Sequence, residues 1–507
     1  MKKEETAKLK TCIEKALRFW NAPSAVYGIV KDGETVLNGA YGMRDVEADA
    51  PADTDTLYMI GSCTKAFTAM LAAKLVDEGR LDWDVPVRLY MPELRFYDSE
   101  TTENVTMRDL LCHRLGMPRH EFSWYRTAYT RPEIVYNLRY LEPNAPFRSV
   151  CQYFNQGFLA AGCVIEKITG HPYDESLNEW IFKPLGMTRT TLQKSVYETD
   201  SNAAAPYEAD SGGQGRKRKR VEIYRSGAER GGRSTEDPLA PAGMISSTLT
   251  DMMKWVRFHL DMGTDGTKQI ISRENMAAMH ALQILYPESE TPEAEKGIAL
   301  DYGYCLGWES DVYRGHYHVH HSGHIDGFTA VCSFVPDLRL GFVMLVNYGY
   351  FPGLYDIEHR VLDAFLGESG TDWTERYKAE EASSDEQSSR RAADVLGPAP
   401  RELTGVRGLP DYTGVYSRPG YEDIRVVFTD GRLSLLFAGY TFALKRYGPE
   451  SFVFKGPDMD LPGDQPVLFE TAGSCINSLS LWLNTESGTG PVTFFRRSEH
   501  EDNGCQI

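Results

Sequence analysis

Hydrophobic spacing changes character several times along the chain, and each change marks an element. The opening "MKKEETAKLKTCIEKALRFW" alternates charges with apolar residues at helical spacing and predicts an amphipathic helix. In "SAVYGIVKDGETVLNGAYGMRD" (24–45), runs rich in Val, Ile and Tyr flank Lys31-Asp32-Gly33, which predicts two strands joined by an Asp-Gly turn. "MIGSCTKAFTAMLAAKLVDEGRL" (59–81) is small and apolar nearly all round, so it reads as a buried helix from about Ser62 to Glu78, stopped at Gly79. From about 82 to 300, segments such as "TMRDLLCHRLG" and "GFLAAGCVIEKITG" predict a helical region with loops. Strand patterning returns in "FTAVCSFVPDLRLGFVMLVN" (328–347), a hairpin turning at Pro336 to Arg339, and the helix "LYDIEHRVLDAFLG" closes this unit.

Residues 369–403 are charged, rich in Ser and Ala and poor in apolar residues, as expected of a linker with some helix. Beyond it "YTGVYSR", "IRVVFTDGRLSLLFAG", "TFALKRYG", "SFVFKG", "SLSLWLN" and "VTFFRR" alternate short strands with turns, which suits a small antiparallel barrel. The expected organisation is therefore a first domain over 1–368, a linker over 369–403 and an all-β domain over 404–507. No internal repeat interrupts it.

Composition narrows the class. With 42% hydrophobic and 25% charged residues over 507 positions, the chain is an ordinary globular protein of several domains. A net charge of −18 argues against nucleic-acid and anionic-membrane partners, which need a basic footprint. The one basic run, "RKRKR" (216–220), follows Gly-rich sequence and reads as a solvated loop, with contact to an acidic ligand as the alternative. The first residues lack the continuous apolar core of a secretory signal or anchor. Nine cysteines without metal-type spacing suit reduced thiols, and both features place the chain in the cytoplasm.

The chemistry sits in the apolar helix. Lys65 follows Ser62 by three residues, on the same face, and helical side chains lean toward the N-terminus, so the amine is aimed at the hydroxyl. Ser62 lies where free N–H groups and the helix dipole favour an oxyanion, and Lys65 is desolvated by Ala, Phe, Met and Leu neighbours. That is the setting of an activated nucleophile, although a helix cap at Ser62 with Lys65 reaching solvent would use the same residues. Two further patterns each occur once: Tyr153-Phe154-Asn155 just before a helix, and His321-Ser322-Gly323 on a strand leading into the second hairpin.

S-x-x-K, Y-x-N and H-S-G in this order resemble the three motifs of the serine β-lactamase and penicillin-binding-protein superfamily. The likeness is nearest to its class C-like branch of β-lactamases, DD-carboxypeptidases, D-aminopeptidases and family VIII-type esterases. It extends through "TLYMIGSCTKAFTA", "YFNQGFLAAGCVIEKITGHPYDESLNEWIFKPLGMTRTTL" and "APAGMISSTLTDMMKW", over roughly residues 10 to 366. The C-terminal region is similar to the β-barrel appended to some cytosolic members. The resemblance implies an α/β (α+β) sandwich in which the first and last segments of the first domain share one antiparallel sheet, with a helical subdomain beside it.

It also implies roles. Ser62 would be acylated, Lys65 would help remove its proton, Tyr153 would act as base and then acid, and Asn155 would orient Lys65 and the substrate amide. Backbone N–H groups of Ser62 and His324 would form the oxyanion hole, and Ser322 and Gly323 would bind substrate. Most β-lactamases carry lysine where this chain has His321. A histidine only partly charged near neutrality weakens carboxylate anchoring and introduces pH sensitivity, which favours peptidase, amidase or esterase action over β-lactam hydrolysis. The expected substrate is a small D-amino-acid peptide, amide or ester, with no cofactor and no metal; a homo-oligomer is possible. A binding protein that kept the fold without turnover is the competing class, and the retained polar cluster argues against it.

Other residues have less specific readings. His316, His318 and His320 alternate, so a strand puts all three on one face as a candidate zinc set, but no carboxylate or cysteine in the run completes it. Cys63 points away from Ser62 around the helix and reads as a packed thiol. His113 reads as structural. "HEFSWYRTAYT" (120–130) is either core or cleft wall, the arginines of "YRSGAERGGRS" are loop surface, and "GPDMDLPGDQP" (456–466) is long enough to reach another domain.

Overall fold

The computed structural model describes residues 3–209, 218–223, 237–288, 292, 295–400, 402–403, 406–457, 461, 463–473, 475–486 and 488–497. Its strands begin with β1 (Ser24–Lys31), β2 (Glu34–Asp45) and β3 (Ala50–Pro51), followed by the short β4 (Tyr58–Met59), β5 (Tyr207–Ala209), β6 (Arg218–Arg220) and β7 (Ser246–Ser247). Next come β8 (Ile284–Leu285), β9 (Ala299–Tyr304), β10 (Glu309–Tyr313), β11 (His316–Ile325), β12 (Phe328–Val335) and β13 (Leu340–Val346). Nine of them make one antiparallel sheet in the order β3-β2-β1-β13-β12-β11-β10-β9-β8. The first hairpin therefore pairs with the last, and Val26 sits opposite Leu345.

Asp32 and Gly33 both have positive φ (53° and 85°), the backbone that a two-residue hairpin turn demands and that Asp-Gly supplies. Strands β1, β12 and β13 are buried almost throughout because both sheet faces are covered. Alternate residues enter two cores. Val26, Val30, Val343 and Leu345 pack with Met253 and Val256 of the helix Leu249–Leu260, while Tyr27, Ile29, Phe342 and Met344 pack with Ile13 and Leu17 of the N-terminal helix and Ile357 and Val361 of the helix Leu354–Leu366. The indole N–H of Trp20 donates to Asp356 (2.7 Å), joining those last two helices.

The C-terminal strands β14 (Gly414–Ser417), β15 (Ile424–Thr429), β16 (Arg432–Phe437), β17 (Tyr440–Arg446), β18 (Ser451–Lys455), β19 (Asp464–Ala472), β20 (Cys475–Leu481) and β21 (Val492–Arg496) close into an eight-stranded antiparallel barrel. Tyr412, Tyr416, Phe452 and Phe469 fill it edge to face. Much of the expected linker is the helix Trp373–Leu396. Its first turns bury Trp373 and Tyr377 against His359, and farther on Arg391 donates to the main-chain oxygens of Trp482 and Asn484 in the barrel region.

Residues 119–128 form the opposite seam. His120 Nδ1 lies 2.6 Å from the Tyr421 hydroxyl, the amide of His120 donates to Asn484, and Phe122 stacks on Phe437 with centroids 5.3 Å apart. The aromatic stretch read as either core or cleft wall serves as both and as the barrel's seat. The basic run is a correction: Arg218–Arg220 is strand β6, paired with β5 rather than a solvated loop, because Tyr207–Ala209 offers it a ladder. Residues 216–217 and the "YRSGAERGGRS" arginines lie outside the described residues. Among the described residues, no helix is long and apolar enough to cross a membrane.

Candidate active site

The predicted buried helix starts one turn later than its sequence suggests. Gly61–Thr64 is a 3-10 turn and the α-helix runs Lys65–Asp77, with every residue from Lys65 to Ala73 buried. The tight turn is what permits a close crossing. Gly61 has φ +50°, and a Cβ there would lie 2.6 Å from the amide nitrogen of His324; a Cβ on Gly323 would lie 1.9 Å from the Ile60 oxygen and 2.8 Å from the Ser62 nitrogen. The 3-10 turn and β11 thus cross with their backbones in direct contact, which brings the amides of Ser62 and His324 close together.

Lys65 is fully buried, with Nζ 2.9 Å from Ser62 Oγ and donating to the main-chain oxygen of Ala242 (2.8 Å). Burial, reinforced by the positive charge of Arg119, holds its ammonium well below the ordinary lysine range. An amine so disposed to give up its proton, set against a serine hydroxyl, is in place to accept one. Asn155 is the first residue of the helix Asn155–Thr169 and lines the same cleft.

Tyr153 immediately precedes that helix, its ring 4.9 Å from Lys65 Nζ and 5.1 Å from the Arg119 guanidinium. His113 supports it from below, with ring centroids 4.2 Å apart. The amide of Phe154 donates to His113 Nδ1 (3.0 Å), which fixes the ring, and burial keeps the imidazole neutral. His113 therefore fits its structural reading, as the floor beneath Tyr153. Cys63 likewise is buried, its thiol directed at the His321 carbonyl oxygen and its ionisation suppressed by burial.

His321 departs from expectation. It is 1% exposed, its Nδ1–H donates to the Ser322 carbonyl oxygen (2.5 Å) and its Nε2 accepts from the Tyr304 hydroxyl (2.8 Å). Burial, with Lys65 adding repulsion, depresses its pKa well below the usual histidine value, so the imidazole is neutral and does not supply the partial charge expected near neutrality. β11 is also an interior strand of the sheet. Ser322 and His324 alternate onto the face opposite His321, and His324 stacks on Tyr350.

These groups surround a cleft of about 730 Å³ lined by Ser62, Tyr153, Asn155, His321, Ser322 and His324. Residues that sequence reasoning missed complete it: Arg119, Glu121 and Arg126 from the seam, Glu309 and Asp326 from the sheet, Lys219 of β6, and Tyr440, Phe442 and Lys455 of the barrel. Tyr125 donates to Asp326 (2.6 Å), and the Arg126 guanidinium lies 4.8 Å from the Tyr440 ring, so the wall joins both domains. Gly456 and Pro457, which open the long loop, also line the cleft; residues 458–460 and 462 of that loop lie outside the described residues. Within the aromatic stretch, Glu121, Tyr125 and Arg126 fall inside one six-residue window, a weak polar signal inside an apolar run.

The candidate zinc set is rearranged. His316 stands apart, bonded to Asp337 (2.6 Å), while His318 and His320 stack with centroids 4.6 Å apart. The carboxylate absent from their own run comes from the next strand as Asp311, whose Oδ2 is 3.1 Å from His318 Nδ1.

Comparison with known proteins agrees with this architecture. The family described as Beta-lactamase matches residues 11–365. The chain is 28% identical to Unguisins hydrolase ungD of Aspergillus violaceofuscus over 83% of its own length and 76% of that protein. It is 25% identical to Protein flp of Staphylococcus aureus over 69% of its length and 65% of that protein. In fold it is similar to the octameric penicillin-binding protein homologue from Pyrococcus abyssi, with TM-score 0.60, 22% identity and coverage of 97% of this chain and 99% of that one. SurE gives TM-score 0.58 at 19% identity, with the same coverage.

Proposed function

The chain belongs to the β-lactamase family, a hydrolase superfamily, and from that premise we propose that it is a serine hydrolase of small peptides, amides or esters containing D-amino acids. The observation that carries this reading is the buried Lys65 amine 2.9 Å from Ser62 Oγ at the floor of the cleft. In the proposed cycle, Ser62 Oγ bonds to the substrate carbonyl carbon as its proton passes to Lys65. The carbonyl oxygen, now an oxyanion, is held by the amides of Ser62 and His324. Tyr153 passes a proton to the departing nitrogen or oxygen when that bond breaks and is reprotonated from Lys65; in the second half it takes a proton from the attacking water, and one returns through Lys65 to Ser62 Oγ as the acyl group leaves.

The cleft supports a zwitterionic peptide over a purely anionic substrate. Arg119, Arg126, Lys219 and Lys455 share it with Glu121, Glu208, Glu309 and Asp326, so both ends of a short peptide meet a complementary sign. His321, neutral where a fixed cation would grip a β-lactam carboxylate, points the same way.

The test compares wild type with Ser62→Ala on D- and L-amino-acid p-nitroanilides, short acyl esters and a chromogenic cephalosporin, with intact-mass analysis after a fluorophosphonate. Turnover of D-residue amides that vanishes in Ser62→Ala, with a single adduct on the Ser62 peptide, is the expected result. Activity surviving in Ser62→Ala, or an adduct on Cys63, would end the proposal; cephalosporin as the best substrate would replace it with β-lactamase action.

A further inference from the structure

A second constellation lies on the face of the sheet opposite His321, beneath the helix Leu354–Leu366. Strands β10 and β11 bring Asp311, His318 and His320 together there, at 3%, 1% and 5% exposure. Asp311 Oδ2 is 3.1 Å from His318 Nδ1 and 3.2 Å from His320 Nε2, and the candidate donor atoms of all three residues lie within 4.8 Å of one another. Each imidazole has a second carboxylate at its far nitrogen: Glu358 Oε1 is 3.5 Å from His318 Nε2, and Glu309 Oε2 is 3.8 Å from His320 Nδ1. Among the described residues, both nitrogens of His320, His318 Nε2, Asp311 Oδ1 and both Glu358 oxygens are buried without a hydrogen bond of normal geometry. That many buried polar atoms without a hydrogen bond in one place is costly, since each forgoes water and several keep only a longer ion contact.

We propose that Asp311, His318 and His320 bind a divalent transition-metal ion, with zinc as the expected occupant. Two imidazoles and a carboxylate are a borderline donor set that suits zinc, whereas calcium and magnesium require oxygen-rich shells. Tetrahedral bonds of about 2.0–2.1 Å place donors about 3.3 Å apart, close to two of the observed separations. These three residues supply one donor each, which leaves the fourth tetrahedral position open to water. The outer carboxylates follow the usual pattern at such centres, in which the nitrogen that does not bind metal donates its proton to an acidic side chain and so fixes the tautomer. A dication also offsets the negative charge that Asp311 and Glu358 place in a buried space.

This centre is separate from the serine chemistry and takes no step in it. It ties β10, β11 and the helix Leu354–Leu366 together just before β11 delivers Ser322, Gly323 and His324 to the cleft, and Glu309 touches both places. Its role is to brace the strand that carries the His324 amide.

The experiment uses full-length protein, depleted with chelator, resupplied with zinc and passed through gel filtration. One zinc retained per chain, a Tm raised by several degrees over the depleted protein, and visible absorption of tetrahedral intensity on cobalt substitution are expected. His318→Gln and His320→Gln should each lose the metal, while His316→Gln should keep it. Folded wild-type protein that retains no zinc and gives no cobalt bands overturns the proposal, as does full retention by both variants. Should the variants fail to fold, the wild-type cobalt spectrum decides. Ser62 labelling is read separately, so the two proposals fail independently.

Discussion

Lys65 and Tyr153 touch through a cation and a ring, yet each has a distinct proton to move in the proposed cycle. Lys65→Ala and Tyr153→Phe should each lower turnover by about a hundredfold or more, the usual scale for losing a positioned acid or base, with Ser62→Ala at the floor of the same assay. The pH profile separates Lys65 from its surroundings. Cys63, His113, Tyr153, His321, Glu309, Arg119 and Glu121 face it, and after burial the largest influence is the downward push of Arg119, opposed by Glu121 and Glu309. Removing a positive neighbour makes the ammonium easier to keep, so in Arg119→Gln the rising limb of acylation rate against pH should move to higher pH, and Glu121→Gln should move it lower. Stopped-flow labelling of Ser62 across pH measures both; an unmoved limb would assign it to another group. Ser62, Lys65, Tyr153 and Asn155 were legible because each pair lies within one or two helical turns, where spacing fixes geometry. Arg119 and Asp311 were not, because their partners lie on segments far away in the chain, and pairing across strands leaves no mark in a local pattern.

At the level of elements, the crossing of the Gly61–Thr64 turn with β11 is the most demanding contact. Gly323→Ala is conformationally permitted but would drive a methyl into the Ile60 carbonyl, so the strand must retreat. Turnover should fall by at least about tenfold with a lowered Tm, on the scale of one displaced oxyanion donor or more; unchanged kinetics would show that the crossing does not set the site. The short helix Met107–Leu110 shows a different dependence. Asp109 caps it with Thr106 and accepts from Arg114 (2.5 Å) and Arg148 (2.6 Å) while fully buried. Burial alone would raise its carboxyl, but Arg148 and Arg114 outweigh it and hold the pKa below the usual carboxylate value. The stability it confers is therefore complete above the unfolded-state pKa of about 4 and is lost as pH falls through the lower folded value. Asp109→Asn should cost about 3 kcal/mol near neutrality, the scale of a broken buried pair, and thermal melts should show the gap to wild type closing in acid. Hairpins and the apolar helix were readable from period and turn chemistry. The 3-10 start was not, since the close approach that forces it comes from β11, hundreds of residues later.

Across the whole molecule, one cleft is walled by two domains. Tyr440 and Lys455 bring barrel side chains to the space above Ser62, and Phe122 lies stacked on Phe437 behind them. Because deleting the barrel would expose that seam, the informative change is made in the full chain. Tyr440→Ala and Lys455→Ala should leave phosphonate labelling of Ser62 unaltered while shifting KM across a peptide-length series by about fivefold, the expected signature of lost binding without lost chemistry. A length series identical to wild type would make the barrel wall passive. The barrel's strands were visible as alternating segments, whereas its seat on residues 119–128 was not, because "HEFSWYRTAYT" is equally apt as core. The nine-stranded sheet, finally, stops at each side in a two-residue strand, Ala50–Pro51 and Ile284–Leu285, and Pro51 has no N–H to offer. The barrel, being closed, has no rim strand at all. Two-residue rims and a closed barrel withhold backbone from a neighbour at those places, so copies of this chain that meet there must do so through side-chain surfaces.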